Sequence, residues 1–316
     1  MKNSSWRYAV ALGISLLGLI AIVLFILKPP FLFQQLGLDP KTANDYGSYA
    51  GGFIGSLFSL AGVFLLFETL VRQQEIFERQ QFETRFYELI GLHCSNVKDI
   101  PAQTNEPTHS ENARGSFASL IADFTYGSFL FNAQHVPEIR DIPRQEQSSL
   151  EYGKNVGPKF TELELIDLYF NLTYVGYSEI YDSILQKHIE GFKADESKYK
   201  LIQDFIAEIR TRPLRFGYEE NIGIYFRHLF HTLKYIDAQR YLTVAEKLDY
   251  ITIVRSHLST NELASLFLYS VSSVGNYSEL SHENPGNLIN KYSLFRNLPK
   301  GYILDIDHTQ YYPETI

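Results

Sequence analysis

YAVALGISLLGLIAIVLFIL, residues 8–27, contains no charged side chain. An α-helix needs about 20 apolar residues to cross a hydrocarbon core about 30 Å thick, and this run reaches that length. A cleaved signal peptide would share the positive start given by Lys2 and Arg7. Its apolar stretch, however, ends by about 15 residues and leads into a small-residue cleavage site, whereas Lys28-Pro29-Pro30-Phe31 follows here. The run reads as a retained span. A second uncharged run, YAGGFIGSLFSLAGVFLLF at residues 49–67, could be a buried core helix taken alone. Following the first span, it reads as the return limb of a transmembrane hairpin over residues 1–67.

Charge orients the hairpin. Lys2 and Arg7 precede the first span and Arg72, Arg79 and Arg85 follow the second, while the connection balances Lys28 and Lys41 against Asp39 and Asp45. The positive-inside rule then puts both termini in the cytoplasm and the chain in an inner membrane as a multi-pass protein. Trp6, Tyr8, Tyr46 and Tyr49 fall near the two interfaces, where amphipathic rings belong. In the second span Gly47, Gly51, Gly55 and Ser59 repeat every four residues and leave one helix face nearly bare. Such a row lets backbones approach closely, either the two spans of one chain or the spans of a homo-oligomer.

From Glu68 the sequence runs without Pro or Gly as far as Gly91, so the second span is expected to continue as a neck helix over residues 68–95. Phe77, Phe82, Phe86, Leu89, Ile90 and His93 form one stripe along it, and Glu75, Arg79 and Glu83 a solvated face. Residues 96–316 read as a cytoplasmic domain of the mainly α class, with helices expected over 116–134, 161–189, 198–210, 221–235, 243–257 and 260–272. Loops are expected over 101–114 and 141–159. No period-2 run is long enough for a sheet, and 22 Tyr with 23 Phe predict aromatic helix packing, with many hydroxyls reaching the surface.

Composition narrows the chemistry. The net charge is −8 while the first 66 residues are net basic, so the remainder is acidic and unsuited to general nucleic-acid binding through neutralised phosphates. A single cysteine, Cys94, excludes an internal disulfide and a Cys-based zinc site. His93, His109 and His135 are scattered, no metal or cofactor signature is present, and the P-loop, H-E-x-x-H, C-x-x-C and G-x-S-x-G patterns are all missing. No cofactor is expected and the balance leans away from an enzyme. Asn171-Leu-Thr173 is a glycosylation sequon that a cytoplasmic location would leave unused.

Three segments of the second half stand together: YFRHLFHTLKYID at 225–237, YITIVRSHLSTNELASLFLYSVS at 250–272 and LINKYSLFRNLP at 288–299. They resemble the phage abortive infection proteins of the AbiC type, as do YGSYAGGFIGSLFSL at 46–60 and FETRFYELIGLH at 82–93. The resemblance implies a bacterial membrane protein of anti-phage defence whose action halts or kills the infected cell; by analogy with membrane-spanning effectors of other defence systems, it is expected to act on the lipid bilayer and to answer to another defence component or a phage-derived trigger. It implies no reaction.

Within 221–299 the chemistry-bearing residues are Tyr225, Arg227, His228, His231, Tyr235, Arg255, Ser259 and Glu262. Arg227, His231 and Lys234 share one helix face by spacing, which suggests a membrane-tethered ribonuclease centre like that of the HEPN superfamily. The spacing is one residue shorter than that superfamily uses. The plainer reading is an Arg227 partly buried among Tyr225, Phe226, Leu229 and Phe230 and paired with a carboxylate, as buried charges are. Ser259-Thr260-Asn261-Glu262 reads as a capping box, leaving Arg255 as the better functional candidate there. A non-catalytic partner-binding regulator is the third possibility.

Overall fold

Helices make up the regular structure, and no strand occurs among the described residues. The computed structural model describes residues 5–27, 40–100, 115–135, 160–176, 189–209, 217–275, 287–304 and 306–313. The chain divides into two units, Met1–Arg85 and Phe86–Ile316. The expected loops over 101–114 and 141–159 and the side chains of Trp6, Tyr8 and Tyr46 lie outside the described residues.

In the first unit α1 (Ser5–Ile26) is followed by α2 (Pro40–Ser48), a π-helical segment (Tyr49–Ile54) and the start of α3 (Gly55–Asp99). The π-helical turn falls on the Gly51-Gly52 pair, where two residues without a Cβ relax the backbone most easily. α1 lies against this segment. The close approach uses Gly18, where a Cβ would meet the Phe58 ring at 3.2 Å, and not the glycine row, since a Cβ at Gly47 or Gly51 would meet nothing within 4 Å. One helix, Gly51–Lys98, is long and apolar enough to cross a membrane, and a shorter apolar run, Leu12–Leu24, lies in α1. Their apolar side chains point outward: Leu12 is 70% exposed and Leu66 64%.

The neck expected over 68–95 is part of α3, which runs on to Asp99. The buried stripe begins at Phe82 and continues through Phe86, Leu89, Ile90 and His93, whereas Phe77 is exposed. Arg79 pairs with Glu83 at 3.4 Å on the solvated side.

The second unit contains α4 (Gly115–His135), α5 (Glu162–Val175), α6 (Glu196–Ile209), α7 (Glu219–Asp237), α8 (Val244–His257), α9 (Thr260–Val271) and α10 (Leu288–Lys291). Helix α9 packs on both α4 and α5. Phe131 meets the Phe205 ring edge-on at 4.9 Å, and Phe226 stacks on Tyr269 at 4.5 Å. Tyr169, Tyr174, Tyr218, Tyr225 and Tyr312 are fully buried, so in these five the packing has absorbed the hydroxyls that the composition suggested would reach the surface. Asn171 and Thr173 are buried too, which closes the sequon.

Local chemistry sets the helix ends. Thr161, Thr243 and Ser259 each cap a helix with a reciprocal Glu three residues on, confirming the box read at Ser259 and Glu262. The helix expected over 161–189 is broken after Val175, where Gly176 turns the chain at φ 81, a region that favours glycine, and residues 177–188 of that expectation lie outside the described residues. Gly217, at φ 97, donates its N–H to the Thr173 carbonyl at 3.0 Å and pins the approach to α7 against the end of α5.

Candidate functional site

Helix α7 presents two faces of opposite character. Ile222, Tyr225, Phe226, Leu229, Leu233 and Ile236 are buried, while Ile224, Arg227, His231 and Lys234 line the exposed side. The period of 3.6 residues puts Arg227 two positions, and so about 200°, from Tyr225. The expectation of a partly buried, carboxylate-paired Arg227 is therefore corrected. Among the described residues its guanidinium makes no ion pair and folds back along Gly223, where a Cβ would meet Arg227 Nη1 and the Tyr174 hydroxyl, each at 3.2 Å. Arg227 and His231 do share a face, as the spacing required, but among the described residues neither is fixed by a side-chain hydrogen bond or ion pair.

Toward the interior α7 meets α3 and α8 in a cluster of imidazoles. His93 of α3 lies 4.8 Å from the Tyr225 ring and stacks at 5.9 Å on His228, with His257 of α8 also within electrostatic range. Burial first, and the neighbouring His228 and His257 second, pull the His93 pKa down from 6.5 to about 4, so the ring is neutral at any pH near 7. Both nitrogens of His93 and of His228 lack hydrogen-bond partners among the described residues. Burial also lowers His228, with His231 adding to the effect. Cys94 Sγ sits 3.8 Å from His257 Nδ1. No group of three or more His, Cys, Asp or Glu among the described residues is arranged to hold a metal ion.

The three motif segments converge through polar clasps. Asp237, at the end of α7, accepts from Lys291 Nζ and from the Tyr292 hydroxyl, while Lys247 Nζ donates to the Asp237 carbonyl. Burial alone would raise the Asp237 carboxyl; the hydrogen bonds from Lys291 and Tyr292 hold it below its usual range. Arg255 donates from Nη1 to the Ser293 carbonyl at 3.1 Å and from Nη2 to Thr252 Oγ1 at 2.9 Å. Ser293 adopts φ 47, and Arg255 secures that left-handed turn. Its guanidinium is thus committed to the Ser293 carbonyl and the Thr252 hydroxyl, which makes Arg255 a fastener of the fold. The Tyr302 hydroxyl donates to Asn261 Oδ1 at 2.7 Å, tying the chain after 288–299 to the start of α9.

Residues 217–303 match the family model described as "Putative phage abortive infection protein". This stretch is similar to that family, and the match covers less than a third of the chain. It contains every clasp just described, and its limits run from the turn at Gly217 to Ile303, beyond the last motif segment. Neither the comparison with curated proteins nor that with solved structures gives a match.

The remaining site residues of the matched stretch divide by role. Tyr225 is core, and Glu262 is buried at the α9 cap with Oε2 on the Ser259 N–H at 2.6 Å. Tyr235 is half-buried and gives its carbonyl to Gln239 Nε2 at 2.9 Å. Asp237, Lys291 and Tyr292 lay inside the quoted segments without being singled out, because a clasp between residues far apart in sequence leaves no local spacing signal. Asp167, outside the quoted segments, likewise joins distant elements: it accepts from the Ser273 N–H at 2.6 Å and, nearby, from Asn171 Nδ2 at 2.8 Å.

Proposed function

We propose that the chain is a membrane-anchored effector of bacterial anti-phage abortive infection. A hairpin of two spans, residues 8–27 and 49–67, holds it in the inner membrane with both termini cytoplasmic. The cytoplasmic domain senses infection, and the membrane segment then perturbs the bilayer. The match of residues 217–303 to the abortive infection family supports the role in defence. The observation that carries the anchor is the outward display of Leu12, Leu16, Leu17 and Leu24 on α1 and of Val63, Leu66 and Phe67 on α3. In water each such side chain would cost about 1.5–3 kcal/mol relative to burial, whereas hydrocarbon removes that cost and favours helices whose backbone bonds are all internal. Open space beside Gly47 and Gly51 supports use of the row between copies, with Gly55 and Ser59 extending it.

The outward face of α7 supports recognition of a trigger or partner. Acid–base catalysis requires groups held by packing at a defined distance from the reacting atom, and Arg227 and His231 have no such support. The ribonuclease reading is accordingly the weaker one, and a non-catalytic regulator differs from the effector only in lacking toxicity of its own.

A membrane-potential dye followed through phage infection separates these readings, comparing cells with the intact chain, with residues 1–67 deleted, and with Arg227→Ala/His231→Ala. The effector reading expects depolarisation only when the hairpin is present. Growth arrest with RNA loss and a sustained potential, abolished by the double substitution alone, would replace it with the ribonuclease.

A further inference from the structure

Between Val63 and Gln80, helix α3 carries a second pattern that no other described residue covers. Val63, Leu66, Leu70, Gln73, Phe77 and Gln80 recur at alternating spacings of three and four, the seven-residue repeat of a coiled-coil seam. All six are exposed, Val63 at 62%, Leu70 at 53% and Phe77 at 58%. None is charged, whereas Glu68, Arg72, Glu75, Glu78 and Arg79 all fall between them. The charged side satisfies itself within the helix: Arg72 pairs with Glu68 at 3.2 Å, Arg79 with Glu83 at 3.4 Å, and Gln74 donates to Glu78 at 3.1 Å. What remains beside these pairs is an uncharged seam, in which Gln73 and Gln80 are the polar positions.

We infer that α3 pairs with α3 of a second copy of this chain as a short parallel coiled coil. Val63, Leu70 and Phe77 take the a positions and Leu66, Gln73 and Gln80 the d positions. The occupant follows from the pattern, because a heptad seam is complementary to itself when two copies align in register. The parallel direction rests on the membrane reading above: copies inserted with one topology bring their necks out of the bilayer side by side and pointing the same way. Within the span Val63 and Leu66 contribute packing alone, while Leu70 and Phe77, beyond the apolar run, leave water on pairing. Gln73 and Gln80 give two polar layers that hydrogen-bond across the seam only in register, as single polar core positions do in other coiled coils.

The test uses the full chain in native membranes with Cys94, its sole cysteine, replaced by Ala. Gln73→Cys, Gln80→Cys and Glu75→Cys are each added singly, the last on the far side of the helix, and the membranes are oxidised with copper phenanthroline. The inference expects covalent dimers at positions 73 and 80, severalfold more abundant than at 75, and loss of the Gln73→Cys dimer when Phe77→Asp is added. Equal crosslinking at all three positions, or none at 73 and 80, overturns it. Dimers formed only by mixing the Gln73→Cys and Gln80→Cys chains signal antiparallel pairing and overturn it as well. Fractionation separates this outcome from that of the anchor. A chain recovered in membranes without dimers sinks the seam alone; a chain recovered outside membranes sinks the anchor, and the same crosslinks in the soluble fraction then decide the seam.

Discussion

Tyr225 and Arg227 are two residues apart on α7 and meet opposite surroundings, one buried to 1% exposure and touching His93 and Phe117, the other in solvent. Tyr225→Ala should cost about 3–5 kcal/mol, the usual penalty for emptying a large aromatic site. Arg227→Ala and His231→Ala should each stay within about 0.5 kcal/mol, as surface changes do. Thermal unfolding of the detergent-solubilised chain checks both, and protection lost without stability lost would mark the α7 face as a recognition surface. His93 adds a pH signature. Its folded pKa of about 4 lies below the ordinary 6.5, so its contribution is complete above about pH 6.5 and is lost as the pH falls toward 4. The difference is on the order of 3 kcal/mol. A His93→Gln chain should lose less stability than the parent between about pH 7 and pH 4.5, measured by denaturant titration at each pH; parallel curves would mean that the ring is not desolvated. Reading Arg227 as buried failed because its apolar neighbours in sequence are not its neighbours in space: helix phase turns residue 227 away from residues 225 and 226.

Among the elements, helix boundaries were the most legible feature. The ends of α4, α7, α8 and α9 fall within about two residues of where periodicity and capping residues put them. The energy behind this is local: Ser259 accepts from the Glu262 N–H at 3.3 Å, and Glu262 reaches back to the Ser259 N–H. Ser259→Ala should therefore lower stability by about 0.5–2 kcal/mol, and Ser259→Asp, which caps equally well, should restore most of it in the same unfolding assay. α5 ended earlier than its apolar spacing suggested because Gly176 overrides periodicity with a single positive φ. In α3 the buried stripe was legible from Phe82 onward, but Phe77 joins the outward seam instead, an assignment that periodicity leaves open when two apolar stripes share one helix.

At the scale of the whole molecule the decisive prediction is topology. Reporter fusions after Ser95 should be active in the cytoplasm and a reporter near Asp39 in the periplasm, following the Lys and Arg asymmetry around the spans; the reverse pattern would overturn the sensing role given to the second unit. The sequence by itself determined the helical class, the two uncharged runs, the cap at α9 and the resemblance that the match over residues 217–303 bears out. These depend on composition, on periods of a few residues, or on motifs that can be read in line. The tertiary structure alone decided which motif residues face inward, that His93 stacks on His228, and that Asp237 closes on Lys291 and Tyr292 while Arg255 closes on Ser293. Those pairings join residues on separate elements, and their geometry follows from how whole helix faces dock, a choice that no local spacing along the chain encodes.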